Sequence, residues 1–126
     1  MTRVNPYKKQ QEQLMEAKIM SSNPQELVLM MFDRLVKDLM VSKFSFESKN
    51  KSYEKINESL INAQNIVISL RDNLDMSIDI SKNLYNLYEY ILEEITNMNR
   101  TKDLSNIDNI IDISKEFRDT WKSILN

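Results

Sequence analysis

The chain has 126 residues, a net charge of −2, and no cysteine, histidine or glycine. These absences exclude disulfides, thiolate nucleophiles and zinc–thiolate sites, and they remove the commonest metal ligand and the side chain best suited to base catalysis near neutral pH. They also argue against glycine-dependent phosphate loops and tight hairpins, which leaves helices joined by short polar turns, in one domain large enough to bury a core without staples.

Residues 1–22 are read as an N-terminal arm, or as a short extra helix packed on the rest, because Leu14, Met15, Ala17 and Ile19 give only a weak apolar spacing. Within it Asn5-Pro6-Tyr7 carries an aromatic ring on a stiff stem. A first long helix is expected over about residues 24–47. Asn23 is its candidate N-cap, Pro24 suits the first helical position and Glu26 completes a capping-box spacing. Val28, Phe32, Leu35, Leu39 and Phe46 form its apolar stripe, widened by Leu27, Met31 and Met40.

The second helix, about 51–74, is the most regular. Tyr53, Ile56, Leu60, Ala63, Val67, Leu70 and Leu74 are spaced 3, 4, 3, 4, 3, 4, the heptad seam of a bundle helix. The third, about 77–99, carries Ile80, Leu84, Leu87, Tyr88, Ile91, Ile95 and Met98, with Asp75 or Ser77 as candidate caps. The fourth, about 103–125, carries Leu104, Ile107, Ile110, Ile111, Ser114, Phe117, Trp121 and Ile124 behind a candidate cap at Asp103. Short connections make successive helices antiparallel neighbours. The expected fold is therefore all-α: an antiparallel up-down four-helix bundle with an N-terminal arm, as one domain spanning residues 1–126.

No chemistry-bearing motif stands out. Glu93 and Glu94 adjoin, and Asp108 and Asp112 lie one turn apart, but paired carboxylates on an amphipathic helix read first as a solvated face. A di-iron bundle needs histidine, so neither an enzyme nor a metal or cofactor site is expected. No basic cluster suggests nucleic acid, no apolar run approaches the roughly 18 residues of a membrane span, and no signal peptide is visible. A cytosolic protein is the expectation. What remains is spare apolar surface. Ile61 and Ile68 lie seven apart beside the seam of the second helix, and Tyr85 and Leu92 repeat that offset in the third. Singly, each is an ordinary exposed residue. Together they suggest a groove for a partner segment.

Five segments then carry a family resemblance: "NPY" near the start, "NPQELVLMMFD" in the first helix, "NAQNIVISLRDNLD" in the second, "NLYNLYEYI" in the third and "EFRDTW" near the end. In this order and spacing the chain resembles the flagellar secretion chaperone family, FliS. The resemblance implies a non-enzymatic helical bundle in the bacterial cytosol. Such a protein binds the disordered C-terminal segment of flagellin, prevents premature polymerisation, and helps deliver flagellin to the flagellar type III export apparatus. It implies that Tyr7 belongs to an arm able to cover part of the partner surface. It places Ala63, Gln64, Leu70, Leu84 and Tyr88 in the motif-bearing middle helices. Ile61, Ile68, Tyr85 and Leu92 join that partner-binding set from the flank argument, and the Gln64 amide is a candidate donor or acceptor for an extended backbone. One departure is Gln10, where the family often carries a second aromatic three residues after the tyrosine. On this reading the protein is a monomer or weak dimer; the competing reading is a self-associating structural bundle with no flagellin role, whose spare flanks meet their own copies. On the chaperone reading, Tyr7→Ala leaves the fold near native stability but changes flagellin affinity.

Overall fold

Four helices account for most of residues 24–125, the part of the chain that the structure, a computed structural model, describes. They are α1 (Pro24–Glu47), α2 (Tyr53–Asp72), α3 (Asp79–Thr101) and α4 (Ile107–Leu125). Asn23 and the side chain of Ile124 lie outside the described residues. Helix starts and stops follow local chemistry. Ser52 caps α2, its hydroxyl accepting the Lys55 N–H at 3.2 Å. Asn73 closes α2, its backbone and side-chain N–H groups reaching the Ser69 carbonyl at 3.1 and 2.7 Å. Lys102 ends α3 at φ 59°, a left-handed conformation that glycine usually takes and that this chain supplies without it. Its backbone N–H reaches the Met98 carbonyl at 2.8 Å, and its ammonium bonds the Asn99 carbonyl at 2.7 Å and the Asn99 side chain.

Three expected caps are corrected. Neither Asp75 nor Ser77 caps α3, whose N-cap is Ile78 with no side-chain bond. Asp75 is occupied locally, accepting the Ser77 N–H at 3.0 Å and the Ser77 hydroxyl at 2.6 Å, and these bonds hold its carboxyl below the usual carboxylate range. Asp103 likewise accepts the Ser105 N–H at 3.0 Å in the turn ahead of α4, which begins only at Ile107. Both carboxylates stabilise turns rather than helix ends.

The bundle is antiparallel throughout its observed pairings. α1 and α2 pack most extensively. Their small side chains allow it: Ser42 and Ser59, both buried, stand 2.5 Å apart between hydroxyl oxygens, so one donates to the other, whose own proton goes to the carbonyl four residues back in its helix, at 3.0 Å for Ser42 or 2.7 Å for Ser59. α2 packs on α3, and α4 lies chiefly on α1. Lys43 pairs with Asp108 at 2.7 Å, Arg118 with Asp33 at 3.8 Å, and the Trp121 indole N–H donates to the Gln25 carbonyl at 2.9 Å. Of the helices consecutive in sequence, α3 and α4 touch least. The short connection makes them antiparallel but does not press them together, because the broad apolar stripe of α4 is satisfied mainly against α1.

The core contains Leu35, Leu39, Ile56, Leu60, Val67, Ile91, Ile95, Leu104 and Ile110, all at 2% exposure or less. Each such side chain stabilises the fold by roughly 1.5–3 kcal/mol. Phe32 of α1, Tyr88 of α3 and Phe117 of α4 meet at centroid separations of 6.2–6.5 Å, so one aromatic cluster spans the sparse α3–α4 side. The stripes are narrower than the spacing suggested at two points. Tyr53 and Ile80, in the first turns of α2 and α3, are 54% and 61% exposed.

Candidate functional site

The outer side of the α2–α3 seam brings together five of the ten residues singled out from the sequence: Ile61, Gln64, Ile68, Tyr85 and Leu92. On α2, the residues Asn57, Gln64 and Arg71 recur every seven positions beside the buried seam. Antiparallel packing sets each opposite a polar residue of α3. The Asn99 amide donates to the Asn57 side-chain oxygen at 3.0 Å. Gln64 Nε2 donates to Thr96 Oγ1 at 2.9 Å, and that hydroxyl donates to the Leu92 carbonyl at 2.7 Å. Arg71 Nη1 donates to Glu89 Oε1 at 2.6 Å, while Arg71 Nε reaches Asp72 at 2.9 Å. Hydrogen bonds to Asp72 and then Glu89 push the guanidinium above its already high pKa. It is a fixed positive charge. The Arg71 guanidinium also lies 5.9 Å from the Tyr85 ring centroid, within cation–π range.

Between and beside these polar rungs stand the apolar flank residues. Ile61 is 39% and Tyr85 37% exposed, while Ile68 and Leu92 are partly exposed. Leu92 rests on the core as well. The two pairs of seven-residue offsets therefore lie on the two helices of one seam, crossed by polar contacts that hold those helices in register. Chemically, this surface offers aliphatic and aromatic area with amide and hydroxyl groups interspersed. It suits a segment that buries apolar side chains and makes a few orienting hydrogen bonds.

The structure separates the other expected partner-binding residues. Ala63 and Leu70 are core residues at 0% and 4% exposure, and Tyr88 is buried between Phe32 and Phe117. They support the helices and offer no surface in this conformation. Burial raises the Tyr88 phenol to about 12. Leu84 is partly buried against the core. Gln64 is neither idle nor free, since its amide forms the middle rung. Tyr7 lies outside the described residues. The sequence reading missed Asn57, Arg71, Glu89, Thr96 and Asn99. Their α2 members share the heptad repeat and were open to discovery there, but their pairing needed the helix register. It also missed the exposed Met76 and Ile78 of the α2–α3 connection and Phe44 and Tyr90 elsewhere.

The candidate carboxylates do not converge. Glu94 accepts the Asn106 amide at 3.1 Å, Asp108 pairs with Lys43, and Glu93 and Asp112 are exposed. Among the described residues, no group of three or more histidine, cysteine, aspartate or glutamate side chains is placed to hold a metal ion, and no helix is long and apolar enough to cross a membrane.

Comparison with known proteins agrees with this architecture. The sequence model of the family described as Flagellar protein FliS matches residues 5–126. The chain is 28% identical to the flagellar secretion chaperone FliS of Bacillus subtilis (strain 168), covering 96% of this chain and 86% of the relative. It is 30% identical to the flagellar secretion chaperone FliS of Vibrio cholerae serotype O1, covering 86% of this chain and 80% of the relative. In structure it is similar to a flagellar chaperone from bacteria, with a TM-score of 0.70 over 95% of this chain and 98% of the other. At 23% identity that likeness is one of fold.

Proposed function

The chain belongs to the FliS family of flagellar secretion chaperones, and from that premise we propose that it binds the disordered C-terminal segment of flagellin in the bacterial cytosol. Binding there keeps flagellin from polymerising early and presents it to the flagellar type III export apparatus. No catalysis is involved in this reading. A segment that is disordered alone gives up conformational entropy on binding, so its chaperone must offer long apolar surface rather than one deep pocket. The observation that supports the reading is the α2–α3 flank, where Ile61, Ile68, Tyr85 and Leu92 keep apolar surface out of the core along one seam.

Calorimetry with a C-terminal flagellin peptide from the same organism tests it. Binding at micromolar concentration or below is expected, with a negative heat-capacity change from apolar burial. A folded protein that gives no heat at tens of micromolar peptide would sink the proposal. Sedimentation across concentration separates it from self-association through the same flank: a tight dimer whose formation covers Ile61 and Tyr85 would favour the latter.

A further inference from the structure

Arg71 occupies an unusual place on the proposed partner surface. Its guanidinium joins α2 to α3 through Glu89, is braced on its own helix by Asp72, and lies over the Tyr85 ring. Its side chain is only 21% exposed, whereas the Tyr85 ring beneath it forms part of the exposed apolar flank. A tyrosine this open would otherwise sample several rotamers, each presenting a different surface. Two carboxylates fix the plane of the guanidinium, and that plane in turn favours one ring position.

We infer that Arg71 is a positioning residue of the partner surface, holding the Tyr85 ring as a fixed wall at the connection end of the α2–α3 flank. This rests on the reading of that flank as the flagellin-binding surface. The wall is preorganised, so the bound segment need not spend ordering free energy on the ring. The segment that fits places an apolar side chain against the ring face left free by Arg71. A carboxylate there would meet Glu89 and Asp72, which already balance the arginine, so an acidic residue at that position is disfavoured. Lysine is no substitute for Arg71, because a compact ammonium has neither the plane nor the two-pronged contact.

The experiment is calorimetry of the full chain with the C-terminal flagellin peptide, using wild type, Arg71→Met, Arg71→Lys, Tyr85→Leu and the double variant Arg71→Met/Tyr85→Leu, with a thermal melt of each. Arg71→Met is expected to weaken binding about three- to tenfold while melting cooperatively, the size of a lost cation–π contact and one side chain left to be immobilised. Arg71→Lys should recover little of that loss. The double variant should bind no more weakly than Tyr85→Leu alone, since Arg71 acts through the ring. Unchanged affinity in Arg71→Met, full recovery by lysine, or losses that multiply in the double variant would each overturn the inference while leaving the binding site in place. Failure of wild type to bind the peptide would overturn the site assignment, and the role of Arg71 with it.

Discussion

Replacing Tyr88 with alanine tests whether this residue is a partner contact or a structural one. The ring sits between Phe32 at 6.5 Å and Phe117 at 6.2 Å and is 5% exposed. Removing it exposes or empties roughly 150–200 Å² of apolar contact, worth about 4–5 kcal/mol at 25 cal/mol per Å². Two ring–ring contacts, about 0.5–1.5 kcal/mol each, are lost as well, while partial collapse of the site recovers some of the total. The expected cost is about 4 kcal/mol, a large share of a typical domain stability of about 5–15 kcal/mol. Urea unfolding followed by far-ultraviolet circular dichroism measures it. With a slope of about 2 kcal/mol per molar, the midpoint should fall by about 2 M. Tyr88→Phe should stay within about 1 kcal/mol of wild type, because it keeps the ring between Phe32 and Phe117 and removes only the hydroxyl. If Tyr88→Ala instead leaves the midpoint nearly unchanged and abolishes partner binding, the assignment of this ring to the core is wrong.

Three further outcomes follow from the same packing. The Tyr88 phenol titrates at about 12 in the folded chain against 10.0 unfolded. The folded state therefore holds this proton more tightly, and its stability should fall as pH rises from 10 towards 12; the loss should be smaller in Tyr88→Phe, as measured by urea midpoints across that range. Asp38 has one buried carboxylate oxygen without a hydrogen bond, and burial raises its pKa despite the nearby Arg34 and Lys37. Its folded pKa lies above its unfolded value of 3.8, so acidification through the folded pKa should stabilise wild type relative to Asp38→Asn, as urea midpoints across that range would show. Ser42→Val adds a methyl group where two hydroxyl oxygens stand 2.5 Å apart, and should destabilise the α1–α2 contact by about 1–3 kcal/mol; an unchanged thermal midpoint would show that the seam has slack.

Much of this protein was legible as sequence because a helix repeats a simple geometry. The 4, 3, 4, 3 spacing of Ile56, Leu60, Ala63, Val67 and Leu70 determined which face of α2 turns inward, and all five are buried. The absence of glycine narrowed the fold class, and that of histidine narrowed the chemistry. The same periodicity located Ile61, Ile68, Tyr85 and Leu92 beside the stripes, where two are exposed and two partly so.

Other features exist only between helices. Spacing placed Phe32, Tyr88 and Phe117 on three separate stripes, but their meeting as one cluster depends on how α1, α3 and α4 cross. Gln64 looked like a solvated amide or a hook for a partner until the α2–α3 register set Thr96 opposite it. Serines 42 and 59 stand outside the apolar spacing of the sequence, yet both are buried and meet between the two helices that pack most extensively. The sequence by itself determined the helices and their inward faces, because those follow from backbone geometry and the cost of exposing apolar surface. Only the tertiary structure decided the exposed width of each face, the pairing of polar rungs, and the bracing of Arg71 over Tyr85, because these depend on the register and separation of neighbouring helices.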